Sequence, residues 1–313
     1  MKIIFMGTPQ FAVVCLKKLY DNGINIISVV TAPDKPVGRG LKLVPSPVKT
    51  VAQTLELPVL QPENLKDLSF LTKIESLQPD LLIIVAFRIL PEVLFSKAKL
   101  GAVNLHGSLL PKYRGAAPIN WAIINGETET GITTFFLKQK VDTGNIIAQK
   151  KINIPLSMTA GELHDIMAKK GADLLLETID QIESDKVKTI PQIESEVSKA
   201  PKIFSKDCLI TFNQPVKKVH DFIRGLSPKP GAYTFYKGKR LHFFNSQIAD
   251  TKMIKGEIGS HIDTNESDSI SIQCNPGLLL IKEIKLEGKR RMPVKDFLRG
   301  HVFEPGTIFG ESG

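Results

Sequence analysis

The most constraining feature of this sequence is the alternation, through its first third, of short apolar runs with helix-length stretches of period 3.6. Lys2–Met6, Ile26–Thr31, Val59-Leu60, Leu81–Ala86 and Ala102–His106 read as strands. Between them, helical patterns open after Gly7 and near Ser46-Pro47, Asn64 and Pro91. Thr8 is expected to cap the first helix, with Pro9 in its first turn and Asn22-Gly23 as its stop. Repeated βαβ units imply right-handed crossovers and a buried sheet. The expected fold class is therefore α/β, with a Rossmann-like, mostly parallel sheet.

Beyond residue 130 the pattern changes. Ile132–Leu137 and Ile146–Ile152 read as a hairpin around the loop Val141-Asp142-Thr143-Gly144. Thr159-Ala160-Gly161-Glu162 has the form of a capping box. The helix after it places Leu163, Ile166, Met167, Leu174 and Ile182 on roughly one face. Residues 186–206 are rich in Lys, Pro, Ser and Glu, as a linker would be. From 207 onward, strand-like runs separated by Gly and Pro turns (Leu209–Phe212, Ala232–Tyr236, Leu241–Phe244, Ile270–Cys274, Leu278–Ile281) favour a small β-barrel. The expected domains are residues 1–188, a linker over 189–206, and a smaller barrel over 207–313.

Composition narrows the class. With 42% hydrophobic and 23% charged residues, the 313-residue chain is neither disordered nor collagen-like. Cys15, Cys208 and Cys274 lie far apart, which excludes a disulfide scaffold and suits inert thiols in a reducing cytoplasm. No apolar run approaches the ~18–20 residues of a membrane span. Gly7-Thr8-Pro9 interrupts the first apolar stretch, so a secretory leader is not expected and the location read is cytoplasmic. The net charge of +9 is uneven: residues 201–313 hold 18 Lys and Arg against 12 Asp and Glu. A basic face of this kind is either a solvated surface or the footprint of an anionic partner such as nucleic acid.

The densest chemical signal is Val103-Asn104-Leu105-His106-Gly107-Ser108-Leu109-Leu110-Pro111, at the end of the fifth strand. In open parallel sheets, ligands bind beyond the carboxyl ends of the strands. Period-two alternation puts Asn104 and His106 on one face. An amide and an imidazole so placed can polarise a carbonyl and move a proton, or can simply form a hydrogen-bonded strand terminus. Asp142 is a candidate third member. Its Asp-Thr-Gly triplet is also that of aspartic proteases, but a single copy lacks the second carboxylate they require. Gly7-Thr8-Pro9-Gln10-Phe11 lacks the later glycines of a dinucleotide fingerprint, which argues against a hydride-transferring dehydrogenase. Residues 33–42 form a long loop in which Arg39, flanked by Lys35 and Lys42, can contact phosphates, or which is an unpartnered surface loop. No His, Cys or carboxylate spacing asks for a metal.

Taken together, these segments resemble the methionyl-tRNA formyltransferase family nearly end to end. The resemblance is carried by Phe5–Phe11, Pro33–Gly40, Pro45–Lys49, Gln61-Pro62, Asn104–Ile119, Gly131–Thr133 and Asp142–Gly144. In the C-terminal part it rests on Ala200–Lys202, Ile223–Leu226, Pro230–Ala232 and Gly288–Met292. It implies an OB-like form for the C-terminal barrel, which with the basic loop would bind tRNA through Arg39, Lys42 and Lys35. It further implies catalytic roles for Asn104, His106 and Asp142, and a folate site lined by Ser108, Leu109, Leu110 and Pro111. The implied reaction passes a formyl group from 10-formyltetrahydrofolate to the α-amino group of methionyl initiator tRNA, in a cytoplasmic monomer. Asn104 and His106 would stabilise the tetrahedral intermediate of direct acyl transfer, with Asp142 orienting His106. One departure stands out: Phe87-Arg88 occupies a position where the family more often has Tyr-Gly. The alternative reading is a 10-formyltetrahydrofolate-dependent formyltransferase or hydrolase acting on a small substrate. On that alternative, removing residues 207–313 would leave activity largely intact. A non-catalytic RNA-binding protein, the remaining class, would show no folate-dependent formylation.

Overall fold

The computed structural model describes residues 1–37, 41–250, 256–264 and 268–310. In chain order, β1 (Ile3–Gly7), α1 (Gln10–Asp21), β2 (Ile26–Val30), β3 (Lys35–Val37), β4 (Lys42–Val44), α2 (Pro47–Thr54) and β5 (Val59–Leu60) come first. They are followed by α3 (Leu68–Leu77), β6 (Leu81–Val85), α4 (Glu92–Phe95), β7 (Ala102–His106), β8 (Arg114–Gly115), α5 (Pro118–Ile124), β9 (Glu129–Phe136), β10 (Ile146–Asn153) and α6 (Ala160–Glu183). The rest of the chain forms β11 (Lys199–Ala200), α7 (Val216–Leu226), β12 (Ala232–Tyr236), β13 (Lys239–Ile248), β14 (Ile270–Cys274), β15 (Gly277–Leu286), β16 (Met292–Pro293) and α8 (Val294–Leu298).

The chain divides into two compact units. One comprises Met1–Pro118, Thr130–Ile152 and His164–Ala200; the other comprises Ile119–Glu129, Asn153–Leu163 and Pro201–Gly313. The first is built on a seven-stranded sheet in the order β10-β9-β7-β6-β1-β2-β5. β5, β2, β1, β6 and β7 run parallel, and β9 is antiparallel to β7. Every residue of β1 and β6 is buried, as expected for parallel strands covered on both faces. Ile4, Met6, Leu82 and Ile84 share one core with Ile74 of α3 and Leu94 of α4.

Local chemistry set several boundaries differently from the sequence pattern. Pro9, not Thr8, holds the N-cap of α1: its carbonyl accepts the first helical bonds from Ala12 and Val13, so the helix starts at Gln10. The third helix begins at Leu68 rather than near Asn64, because the Asp67 carboxylate accepts from the Ser69 and Phe70 N–H groups. Asn64 instead accepts from the Lys66 N–H and closes a turn. The capping box at Thr159 forms as read, with each of Thr159 and Glu162 accepting the other's backbone N–H.

The second unit carries a five-stranded antiparallel sheet, β12-β13-β15-β14 with β16 on β15. Among the described residues the ladder does not trace a closed ring; Leu209 adds a parallel bridge to Tyr233, and His261 an antiparallel bridge to Ile272. This establishes a separate β domain. Helix α7 falls in a stretch whose sequence pattern pointed to strands and turns. Val216, Val219, Ile223 and Leu226 follow the helical period, and the last three are buried in the core with Phe243, Ile272 and Leu279. The same helix buries His220, Asp221 and Arg224. Asp221 Oδ1 accepts from Arg224 Nε at 2.8 Å, and Oδ2 accepts from Lys217 Nζ at 2.6 Å. Arg224 also donates to the Met158 carbonyl at 2.9 Å. The His220 ring bonds the Leu156 carbonyl at 3.0 Å and the Ser246 hydroxyl at 2.9 Å.

Candidate active site

The site is laid out by β7, which sits between parallel β6 and antiparallel β9 and ends on His106. Asn104 stands opposite Phe135, and His106 opposite Thr133. Alternation along the strand places Asn104 and His106 on one face at the carboxyl end of the sheet. The His106 side chain is 6% exposed. Its Nε2 lies 2.8 Å from the Tyr113 carbonyl oxygen. A carbonyl only accepts, so Nε2 carries the proton and donates, and in the neutral ring Nδ1 is the basic nitrogen. Nδ1 faces Asp142 Oδ2 at 3.9 Å. Asn104 is half-buried, and its amide has no hydrogen bond to another described residue.

Asp142 reaches this position because its backbone is left-handed, with φ +54°, a conformation Asp tolerates better than most residues. Gly144 completes the turn. A Cβ there would collide with the Phe136 carbonyl, so only glycine fits. Asp142 Oδ2 accepts from the Gly115 N–H at 2.9 Å. Gly115 itself has φ +130° and pairs with Ala200 across β8 and β11.

The turn after His106 is braced from below. The Thr133 hydroxyl donates to the Ser108 carbonyl at 2.6 Å and accepts from the Leu110 N–H at 3.1 Å. Gln149 Nε2 donates to the Leu110 carbonyl at 2.9 Å. Ser108 is buried, and its hydroxyl donates to the Lys112 carbonyl at 2.6 Å. Leu110 packs with Phe135 and Ile146. Of the four residues expected to line a folate site, Ser108, Leu110 and Pro111 are therefore buried, while Leu109 is half-buried. Leu109 lies against Gly131, where a Cβ would strike it. Arg88, the departure noted in the sequence, donates from Nη1 to the Glu63 carbonyl at 2.8 Å and from Nη2 to the Pro62 carbonyl at 2.7 Å. It thus ties the loop after β5 to the end of β6.

The structure brings His106 and Asp142 together with Asn104 on the same strand face. Lys35 and Lys42 are exposed on the β3–β4 hairpin, where Lys35 pairs with Val44 and so shares a face with Lys42. Arg39 lies outside the described residues. The sequence reading missed the Tyr113 carbonyl and the Gly115 N–H, as well as Thr133 and Gln149. Backbone groups carry no sequence signature; Thr133 lay in a segment that carried the resemblance, but its place opposite His106 comes only from the pairing of β7 with β9. No group of three or more His, Cys, Asp or Glu able to hold a metal occurs among the described residues. None of their helices is long and apolar enough to cross a membrane.

An imidazole, a facing carboxylate and an amide thus lie together at the carboxyl edge of an α/β sheet, the edge where sheets of this class bind their ligands. The chain belongs to the formyl transferase family: the family profile "Formyl transferase" matches residues 1–179, and "Formyl transferase, C-terminal domain" matches residues 202–302. Among curated relatives, it is similar to the methionyl-tRNA formyltransferase of Parabacteroides distasonis, with 47% identity across 96% of this chain and 95% of that protein. It is similar also to the methionyl-tRNA formyltransferase of Desulforamulus reducens, with 43% identity across 100% of this chain and 99% of that one. Among solved structures, an N-formyltransferase from Helicobacter canadensis, in complex with folinic acid and dTDP-3-aminofucose, shares the fold. Its TM-score is 0.68 at 21% identity, covering 90% of this chain and 98% of that chain.

Proposed function

We propose that this chain transfers the formyl group of 10-formyltetrahydrofolate to the α-amino group of methionyl initiator tRNA, as a cytoplasmic monomer. The observation that carries the reading is similarity to two methionyl-tRNA formyltransferases across both units of the molecule. The proposed division of labour gives the chemistry to the first unit, which takes up most of residues 1–188 together with part of the 189–206 connection, and the tRNA to the second, of which 207–313 is the main part. Lys35, Lys42 and Arg39 add phosphate contacts from the first unit.

The neutral methionyl amine attacks the formyl carbon, a new C–N bond forms, and the carbonyl oxygen takes up negative charge. The Asn104 amide donates to that oxygen; one such donor contributes roughly 3–4 kcal/mol. The proton released by the attacking nitrogen passes to Nδ1 of His106, since Nε2 is committed to the Tyr113 carbonyl. The imidazolium so formed faces the Asp142 carboxylate, which stabilises it and holds the ring in orientation. Collapse of the intermediate breaks the bond to N10 of the folate, and the same proton goes to that nitrogen. Leu109 and the turn through Pro111 supply the apolar wall on the folate side.

The test is a formylation assay with 10-formyltetrahydrofolate and four acceptors: charged initiator tRNA, charged elongator tRNA, free methionine and a nucleotide-linked amino sugar. Formyl transfer is expected to the charged initiator tRNA above all others. Preferential formylation of the sugar, or release of free formate, would overturn the reading.

A further inference from the structure

Gln192 lies in the segment read from sequence as linker, and nothing in the reaction above uses it. Its side chain nevertheless meets the Asp142 turn. Nε2 donates to the Asp142 carbonyl at 2.9 Å and to the Gly144 carbonyl at 2.8 Å. Oε1 accepts from Arg114 Nε at 3.0 Å and from Nη2 at 2.8 Å. The orientation of the amide is fixed by chemistry: carbonyls only accept and a guanidinium only donates. Arg114 is held in turn. Its side chain is 9% exposed and pairs with Glu194, and its backbone N–H donates to the Ser198 carbonyl at 2.9 Å.

The next residue after Arg114 is Gly115, whose N–H bonds Asp142 Oδ2. These bonds therefore close a ring. Its links are the Asp142 carboxylate to Gly115, the Gly115–Arg114 peptide, the guanidinium to Gln192, and the Gln192 amide back to the Asp142 carbonyl. Asp142 is gripped at both its backbone and its carboxylate by one connected device. A left-handed turn held by its own backbone alone can rock, whereas this one cannot move without breaking charge-assisted hydrogen bonds.

We propose that Gln192, oriented by Arg114, is a positioning residue that fixes the Asp142 turn so that Oδ2 stands opposite Nδ1 of His106. The inference rests on the roles given to Asp142 and His106 under the proposed function. It assigns a second duty to a segment that reads from sequence as connection alone: it sets the geometry of the carboxylate.

Gln192→Glu separates positioning from packing. The substituted side chain keeps its length and its partner Arg114, but loses both N–H groups and sets an oxygen against two carbonyls. Turnover should fall about tenfold or more, since small misplacements of a reacting geometry cost that much. KM for tRNA and for folate should each stay within about twofold. On an Asp142→Asn background the same substitution should cost nothing further, because the carboxylate it positions is gone. Arg114→Lys, which keeps a donor for Oε1 without the fork, should give an intermediate loss and the same non-additivity. It decides the matter alone should Gln192→Glu fail to fold. Unchanged kcat in Gln192→Glu, or an equal loss with and without the Asp142 carboxylate, would overturn the inference while leaving the proposed mechanism standing. If Asp142→Asn itself keeps wild-type turnover, it is the mechanism that fails.

Discussion

Each unit of the molecule holds a buried histidine with an aspartate nearby, and the two arrangements differ in one respect. In the second unit, both nitrogens of His220 are occupied, one by the Leu156 carbonyl and one by the Ser246 hydroxyl. Its neighbour Asp221 is saturated by Arg224 and Lys217. In the first unit, His106 has one nitrogen tied to a carbonyl and the other facing a carboxylate 3.9 Å away, beyond hydrogen-bond length. A network with every donor and acceptor matched stabilises a fold. One that leaves a basic nitrogen open beside an anion can accept a proton and give it back. A buried histidine is common to both; what separates them is residual hydrogen-bonding capacity, which the proposed chemistry requires and the saturated network lacks.

The sharpest way to break this comparison is to substitute each pair and ask which property is lost. His106→Ala and Asp142→Asn should each lower kcat by about 10²–10⁴-fold, measured with saturating substrates, with little change in unfolding midpoint. Asp221→Ala should do the reverse. It strands Arg224, whose side chain is 4% exposed, and should destabilise the fold by about 3–5 kcal/mol in denaturant unfolding. The folded fraction should turn over near the wild-type rate. A catalytic defect in folded Asp221→Ala, or a folding defect in Asp142→Asn, would erase the distinction.

A smaller effect concerns acid. Burial, partly opposed by the Leu156 carbonyl, holds the His220 pKa below its ordinary value of 6.5. Its native form is thus neutral, and the unfolded chain takes up a proton first as pH falls. The stability His220 contributes is complete above pH 6.5 and is lost below it, until the native imidazole also protonates, with a limiting slope of about 1.4 kcal/mol per pH unit. His220→Gln should flatten the stability curve in that window, as read by urea unfolding at several pH values. An unchanged slope would show that the ring is not the titrating group. The smallest effect expected is on tRNA binding. Lys35→Ala with Lys42→Ala should raise KM for tRNA and make its salt dependence shallower by about 0.9 for each phosphate left without its lysine, while KM for folate stays the same.

Much of the first unit was legible because burial on both sides of a parallel sheet demands unbroken apolar runs. Leu81–Val85 and Ile3–Met6 are apolar throughout and of strand length, and both form buried strands. Asn104 and His106 were legible through strand period, and Asp142 through its turn chemistry. Helix α7 was not, because its apolar residues sit between segments whose Gly and Pro punctuation reads as β structure. Its positions 216, 219, 223 and 226 carried the helical signal all the same. The ring around Asp142 was beyond sequence reasoning for a deeper reason. Half of its links are backbone groups, which every residue possesses, and Gln192 joins it only after 77 intervening residues have folded Ser198–Ala200 beside Arg114–Gly115.

The interleaving of the two units has a consequence for how such a molecule can be taken apart. The second unit draws Ile119–Glu129 and Asn153–Leu163 from the sequence upstream of its main segment. Asn120 donates to the Gly225 carbonyl at 2.7 Å, and Arg224 to the Met158 carbonyl, so both borrowed segments are stitched to the C-terminal sequence. Cutting at residue 206 does not release a finished domain; it orphans two segments whose partners lie downstream. Truncation would therefore report on damaged folding as much as on tRNA recognition, and a C-terminal cassette from a relative could not simply be grafted on. Exchange between relatives has to carry three pieces of chain together, which ties the inheritance of the smaller unit to that of the larger one.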